Sequence, residues 1–365
     1  MTGRDDRLAR LRLARSEGVG PRTYMRLMAH FGTAAEALAS LPGMSARGGR
    51  RRPLRPCPEG HAEAELAALE SIGGRMIFPG EPDYPEALAA IPDPPPALSV
   101  LGDASRPHGP AIGMVGMRNG SAVGRKFARG LAADLGAAGI VVVSGMARGI
   151  DAAAHEGSLA TASVAVLAGG VDVPYPREHE PLYRRLVEEG AVVSDQPIGT
   201  APTARHFPPR NRIIAGLSLG VVVVEANLRS GSLITARLAN EQGRIVFAVP
   251  GSPLDPRAAG PNDLLRQGAV LVERADDVIA AVEGMARPAP PPPQEVPASA
   301  SAVPEEVDEG ARSVVVDRLA HTPVTVDELV RECQLSAASV QTVLLELELA
   351  GRVLRQPGNR VSLVT

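Results

Sequence analysis

"AIGMVGMRNGSAVGRKFARGLAADLGAAGIVVVSG", residues 111–145, runs from an apolar stretch of strand length through a glycine-rich turn and a helical period into a second apolar stretch. Neither apolar stretch alternates with polar residues, so strands made from them must be covered on both faces. The alternation continues downstream. "SVAVLAGG", "AVVSD", "LGVVVVEA", "RIVFAVPG" and "AVLVE" read as further strands, with helices at "GIDAAAHEGSLA", "EHEPLYRRLVEEG", "RNRIIAGLS" and "GSLITARLANEQG" between them. A repeat of this kind predicts a doubly wound parallel α/β sheet whose right-handed crossovers bring every strand's C-terminal end to one edge, where such folds bind ligands.

The flanks read differently. Residues 8–45 form short helices broken at glycines, and "MSARGGRRRPLRPCPEG", residues 44–60, is rich in Gly, Pro and Arg and is expected to be a mobile loop. "EPDYPEALAAIPDPPPALSVLGD" is a proline-laden approach to the sheet. Beyond it, "ARPAPPPPQEVPASASAVPEEVDEG" cannot bury a core and reads as an extended linker. The remainder, helix, helix, turn at "QLS", a helix from Ala337 and two short strands about "RQPGNR", has the order of a winged helix. The expected organisation is a helical N-terminal domain over 1–80, the sheet domain over 81–285, a linker over 286–310 and the winged helix over 311–365.

The 365 residues contain no apolar run long enough for a membrane span, and the charged N-terminus is unlike a signal peptide, so a cytoplasmic location is expected. Two cysteines, Cys57 and Cys333, offer neither a disulfide framework nor a zinc cluster, and no metal or cofactor is expected. Net charge is only −3, but its distribution is uneven: residues 1–60 hold 12 arginines against 5 acids, residues 61–304 hold 20 basic against 26 acidic, and residues 305–365 hold 6 against 10. The N-terminal piece is therefore the basic one.

At the predicted sheet edge collect Gly116 and Arg118, then Ser144, Gly145 and Arg148, then Gly169 and Gly170, then Ser194 and Asp195, then Glu225 leading to Ser230, Gly231, Ser232 and Thr235. Glycines allow close backbone approach, and hydroxyls or amides at helix N-termini donate to anionic oxygens. In "FPPRNRIIAGLS", Arg210, Asn211 and Arg212 lie near the same edge, beside Phe207. The set describes an anion-binding groove, with Arg118, Arg210 and Arg212 on phosphates and Phe207 stacking a base. A competing reading pairs Arg210 and Arg212 with Glu225 or Asp195 to pin the helix. His155, His206 and Asp151 read as packing or capping residues. The first turn, "GMVGMRNGSAVG", is not a dinucleotide fingerprint, and no P-loop is present.

"VGMR", "SGMARGIDAAAH", "LAGGVDVPYP", "FPPRNRIIAGLS", "VVVVEANLRSGSLITARLANEQGRIVFAVPG" and "GPNDLLRQGAVLV" together resemble the DNA-processing protein A family (DprA, also called Smf) over about 190 residues. The resemblance implies an extended Rossmann-like domain that binds single-stranded DNA. It also implies a role in natural transformation, protecting incoming strands and helping the RecA recombinase load, usually as a homodimer, with no membrane partner. Three positions depart from the family pattern: Met117 stands where a serine is usual, Asp195 replaces a glutamate, and His179 an asparagine.

Two other readings compete. Related folds include nucleotide phosphoribohydrolases, but the corresponding loop here reads "RSGSLITARLANE", with Glu241 late and no paired acid. A duplex-binding regulator acting through the winged helix is opposed by "SAASVQTVLLELELAG", a candidate recognition helix with two glutamates and no basic residue. A non-enzymatic DNA binder is the expectation.

Overall fold

The computed structural model describes residues 3–283, 307–356 and 358–364. The chain divides into two compact units, Met1–Glu63 with Ala289–Thr365, and Ala64–Pro288.

In the first unit, α1 (Gly3–Arg15), α2 (Pro21–Phe31) and α3 (Ala34–Arg47) close on a core that includes Leu13, Tyr24, Leu27, Leu41 and Met44. Pro21 opens α2, where a missing amide costs nothing, and the Thr33 hydroxyl caps α3 by accepting from the Glu36 amide. The arginine-rich segment expected to be mobile is tied down. Leu54 is buried in that core, its amide donates to Ser45 Oγ at 2.9 Å, and the Cys57 amide donates to Ser16 Oγ at 2.9 Å. One apolar side chain and two serine hydroxyls outweigh the composition around them. Helix α4 (Glu59–Ser71) follows.

The second unit contains β1 (Arg75–Ile77), α5 (Glu86–Ala89), β2 (Leu98–Gly102), β3 (Ala111–Val115), α6 (Ala122–Ala137), β4 (Val141–Ser144), α7 (Ile150–Ser158), β5 (Ser163–Val166), α8 (Glu180–Glu189) and β6 (Ala191–Ser194). It continues through α9 (Phe207–Leu217), β7 (Gly220–Val223), α10 (Gly231–Glu241), β8 (Ile245–Ala248), α11 (Ala259–Arg266), β9 (Val270–Leu271) and α12 (Ala275–Glu283). The strands form a sheet in the order β1-β2-β6-β5-β4-β3-β7-β8-β9. Pairs from β6 across to β9 are parallel, as expected. The remaining two strands are antiparallel, β2 to β6 and β1 to β2; β2 lies in the proline-laden approach and β1 just before it, and neither is among the strands expected from the sequence.

Burial on both faces is visible residue by residue. Val141, Val143, Val221 and Val223 belong to one cluster, whereas Ile112, Met114, Val142, Val222 and Val224 belong to the other. Alternate side chains of each strand thus enter opposite layers, each full burial being worth about 1.5–3 kcal/mol before entropy. The chain leaves β3 for β4, β5 and β6 on one side, then returns to β7, β8 and β9 on the other. The loops after β3 and β7 therefore diverge from neighbouring strands and leave a crevice at the C-terminal edge.

The winged helix comprises α13 (Glu309–Arg318), β10 (Val324–Thr325), α14 (Val326–Cys333), α15 (Ala337–Leu349), β11 (Val353–Gln356) and β12 (Arg360–Leu363), with the strands in the order β10-β12-β11. The expected linker lies, up to residue 306, outside the described residues. Among the described residues no helix is long and apolar enough to cross a membrane.

Candidate nucleic-acid interface

A cavity of about 380 Å³ occupies the crevice at the switch point. The loop after β3 contributes Gly116, Met117, Arg118 and Asn119; the start of α9 contributes Phe207, Arg210 and Asn211; the start of α10 contributes Ser230, Gly231, Ser232 and Thr235. At the α10 end, the Ser230 hydroxyl accepts from the Ser232 amide at 3.4 Å and lies 2.6 Å from the Ser232 hydroxyl. Gly231 is exposed beside them, so the positive end of a three-turn helix opens into the cavity.

The three arginines expected on phosphates behave differently. Arg118 is exposed, and its guanidinium carbon lies 4.8 Å from the centre of the Phe207 ring. Arg210 is only 5% exposed and faces inward. Its Nη1 donates to Gly145 O at 2.8 Å and also to Val166 O, and its Nε donates to Asn211 Oδ1 at 3.2 Å. Burial pulls its pKa down to about 10, against the opposing pull of Asp151, so it remains a cation at neutral pH. It is a fixed positive charge in the cavity wall. Arg212 does not reach the cavity: it pairs with Asp195 at 2.9 Å and donates to the Asp93 carbonyl, pinning α9 as the competing reading had it.

Asp151, 5% exposed in the first turn of α7, receives the amide of Ala147, and amides of Gly145 and Gly116 also favour its charged form. Burial nevertheless pushes its carboxyl up from the ordinary value. It satisfies backbone donors, the helix-carboxylate role anticipated for it. His155 is fully buried, with Nδ1 2.8 Å from Ser163 Oγ, and burial lowers its pKa to about 3, so the ring is neutral.

A smaller second hollow adjoins the first, lined by Arg118, Gly145, Arg148, Tyr175, Pro176 and Phe207. Arg148 there is bidentate to Glu178, at 2.5 and 2.7 Å, with both partners exposed. Gly145 is required by contact, since a Cβ there would lie 2.5 Å from the Arg210 guanidinium. The remaining expected residues are not brought to either hollow. Ser144 is buried and donates to Met114 O at 2.6 Å, while Gly169 and Gly170 pack beneath the backbone of Thr200 and Pro197. Sequence reasoning missed Tyr175, whose ring lies 5.8 Å from that of Phe207, and Asn119, exposed beside Arg118. Tyr175 lies in the quoted "VPYP", far from any strand end, and only the fold reveals its neighbour.

Residues 75–283 match the sequence profile of DNA recombination-mediator protein A, residues 4–68 that of the DprA-like N-terminal HHH domain, and residues 287–359 that of the DprA winged helix domain. The chain belongs to the DNA recombination-mediator protein A (DprA/Smf) family. Protein Smf of Escherichia coli is 38% identical over 310 residues, spanning 84% of this chain and 82% of that protein. DNA processing protein DprA of Bacillus subtilis is 44% identical over 216 residues, 58% of this chain and 73% of its own. Among solved structures, DprA from Streptococcus pneumoniae has a TM-score of 0.64 at 32% identity, covering 74% of this chain and 95% of that one. DNA processing protein A from Helicobacter pylori, solved for its single-stranded DNA binding mode, has a TM-score of 0.53 at 27% identity, covering 58% and 96%. DprA membership accounts for all three parts, the helical N-terminus, the Rossmann-like sheet and the winged helix.

Proposed function

We propose that this DprA-family chain binds single-stranded DNA at the switch-point crevice, without hydrolysing it, and that it protects incoming strands and helps a RecA recombinase load during natural transformation, acting as a homodimer in the cytoplasm. The observation that carries the binding reading is the pairing of an exposed cation with an aromatic face at a helix N-terminus: Arg118 over Phe207, beside Ser230, Gly231 and Ser232. A phosphate needs the first and the last, and a base needs the ring. The likeness to the Helicobacter pylori protein supports the choice of single strand. The recombinase, the dimer and the transformation role rest on family membership.

Among the described residues lining the cavity the only carboxylate is Asp151, buried and held by backbone amides, and Glu241 is exposed and paired with Arg237 at 3.5 Å. Neither is disposed as one of a pair of acids for glycosidic cleavage, which favours binding over hydrolysis.

Fluorescence titration of a labelled single-stranded oligonucleotide, repeated across salt concentrations, tests the site. Arg118→Ala is expected to make the log-log salt slope shallower by about 0.7 and to weaken binding for all sequences alike. Phe207→Ala is expected to cost about 1–3 kcal/mol with the slope unchanged. Binding and slope unaffected by either change would remove the site from this crevice.

A further inference from the structure

In a winged helix that reads duplex DNA, the second helix of the helix-turn-helix enters the major groove with an exposed face. Here that helix is α15; its start is exposed at Ala337, Ala338 and Gln341, but from Thr342 to Leu349 no residue is exposed. Val340, Val343, Leu344 and Leu347 enter the winged helix's own core, whereas Leu345 and Leu349 belong to the core of the N-terminal helices, together with Leu27, Leu38, Leu41 and Met44. Glu346, 1% exposed, lies between Arg47 of α3 (Nε to Oε1, 2.5 Å) and Arg312 of α13 (Nε to Oε2, 2.7 Å). Glu348 accepts from Thr23 Oγ1 at 2.8 Å, from Arg26 of α2, and lies 3.3 Å from the Arg355 guanidinium. At the end of α3, Gly48 meets the backbone so closely that a Cβ would lie 2.0 Å from the Glu346 carbonyl oxygen and 2.9 Å from Ala350 Cβ.

We infer that the recognition-helix face of this winged helix is a protein-docking surface whose partner is the N-terminal helical domain of the same chain, and that it does not read duplex DNA. The two glutamates that make α15 unfit to lie on phosphates are the groups that select Arg26 and Arg47. Charge complementarity extends beyond the pairs: the N-terminal 60 residues carry 12 arginines against 5 acids, and residues 305–365 carry 10 acids against 6 arginines. Glu346 is committed from both domains at once, so separating them would leave a buried carboxylate with half its partners.

Gly48 provides the test, because its φ of −66° is one any residue adopts, and a larger side chain there is harmful only when α15 is in place. Hydrogen–deuterium exchange would be followed by mass spectrometry on the full chain, wild type, Gly48→Val and Arg47→Glu. The expected result is at least tenfold faster exchange over residues 340–350 in both variants, with the sheet domain unchanged. If Gly48→Val also loses protection throughout α1, the N-terminal domain has unfolded, and Arg47→Glu, a change at a half-exposed side chain, decides alone. Unchanged exchange over α15 in Arg47→Glu, or protection of α15 in the wild type upon adding a duplex oligonucleotide, overturns the proposal.

Discussion

Arg210 and Arg212 are two residues apart on a helix, and that spacing alone separates their fates. Successive residues on an α-helix rotate by about 100°, so the two side chains leave α9 about 200° apart and cannot both face the crevice. A sequence shows two arginines flanking an asparagine; it does not show which one the helix turns inward. Because Arg212 pairs with Asp195 at 2.9 Å and both side chains are largely buried, Arg212→Ala should remove the cation paired with that carboxylate, leaving it the Gln196 amide at 2.8 Å. The expected cost is about 3–5 kcal/mol in urea unfolding, with the salt slope of DNA binding unaltered. His155 gives a pH-dependent counterpart. Its folded pKa of about 3 lies below the ordinary 6.5, so between those values the unfolded chain binds a proton that the folded chain does not. Its contribution to stability is complete above about pH 6.5 and is lost as pH falls toward 3. Between pH 7 and pH 5, the wild type should lose on the order of 2 kcal/mol more than His155→Gln, measured by urea unfolding at both pH values.

Among elements, legibility followed length and continuity. β3, β4 and β7 were readable because each is an unbroken apolar run, and α6 and α10 were readable as the helical periods between such runs; each begins after a serine that caps it, Ser121 and Ser230. β1 and β2 were not. "RMI" is too short to show a period, and "LSVLG" follows three consecutive prolines, so its strand character depends on pairing with β6, nearly a hundred residues later. The expected roll of edge residues overreached for a geometric reason. Gly169 and Gly170 follow β5, two strands from β3 in the sheet and so about 10 Å along the edge from the loop that bears Arg118. Arg148 follows β4, the nearer strand, and lines the adjoining hollow. At α10, Ser230→Ala removes the cap that receives the Ser232 amide. A loss of about 1 kcal/mol of stability is expected, together with weaker DNA binding; a thermal melt and a titration on the same preparation separate the two.

At the scale of the whole molecule, the sheet unit and the terminal unit each have their own core, and the crevice belongs wholly to the former. A chain ending near Arg287 should therefore keep its single-strand affinity within about twofold, since none of the described residues it removes lines the crevice and the removed residues carry a net negative charge. The same truncation should lower the melting temperature of the N-terminal helices, which lose the cover of Leu345 and Leu349. Calorimetry and oligonucleotide titration of that protein give both quantities.

The nine-stranded sheet ends in a three-residue strand, β1, on one side and a two-residue strand, β9, on the other. Edges this short offer almost no free backbone for another strand to join. Copies of the chain crowded together are thus protected against fusing edge to edge into continuous β-structure. Any assembly made through this unit has to be built from side-chain surfaces, which can separate again.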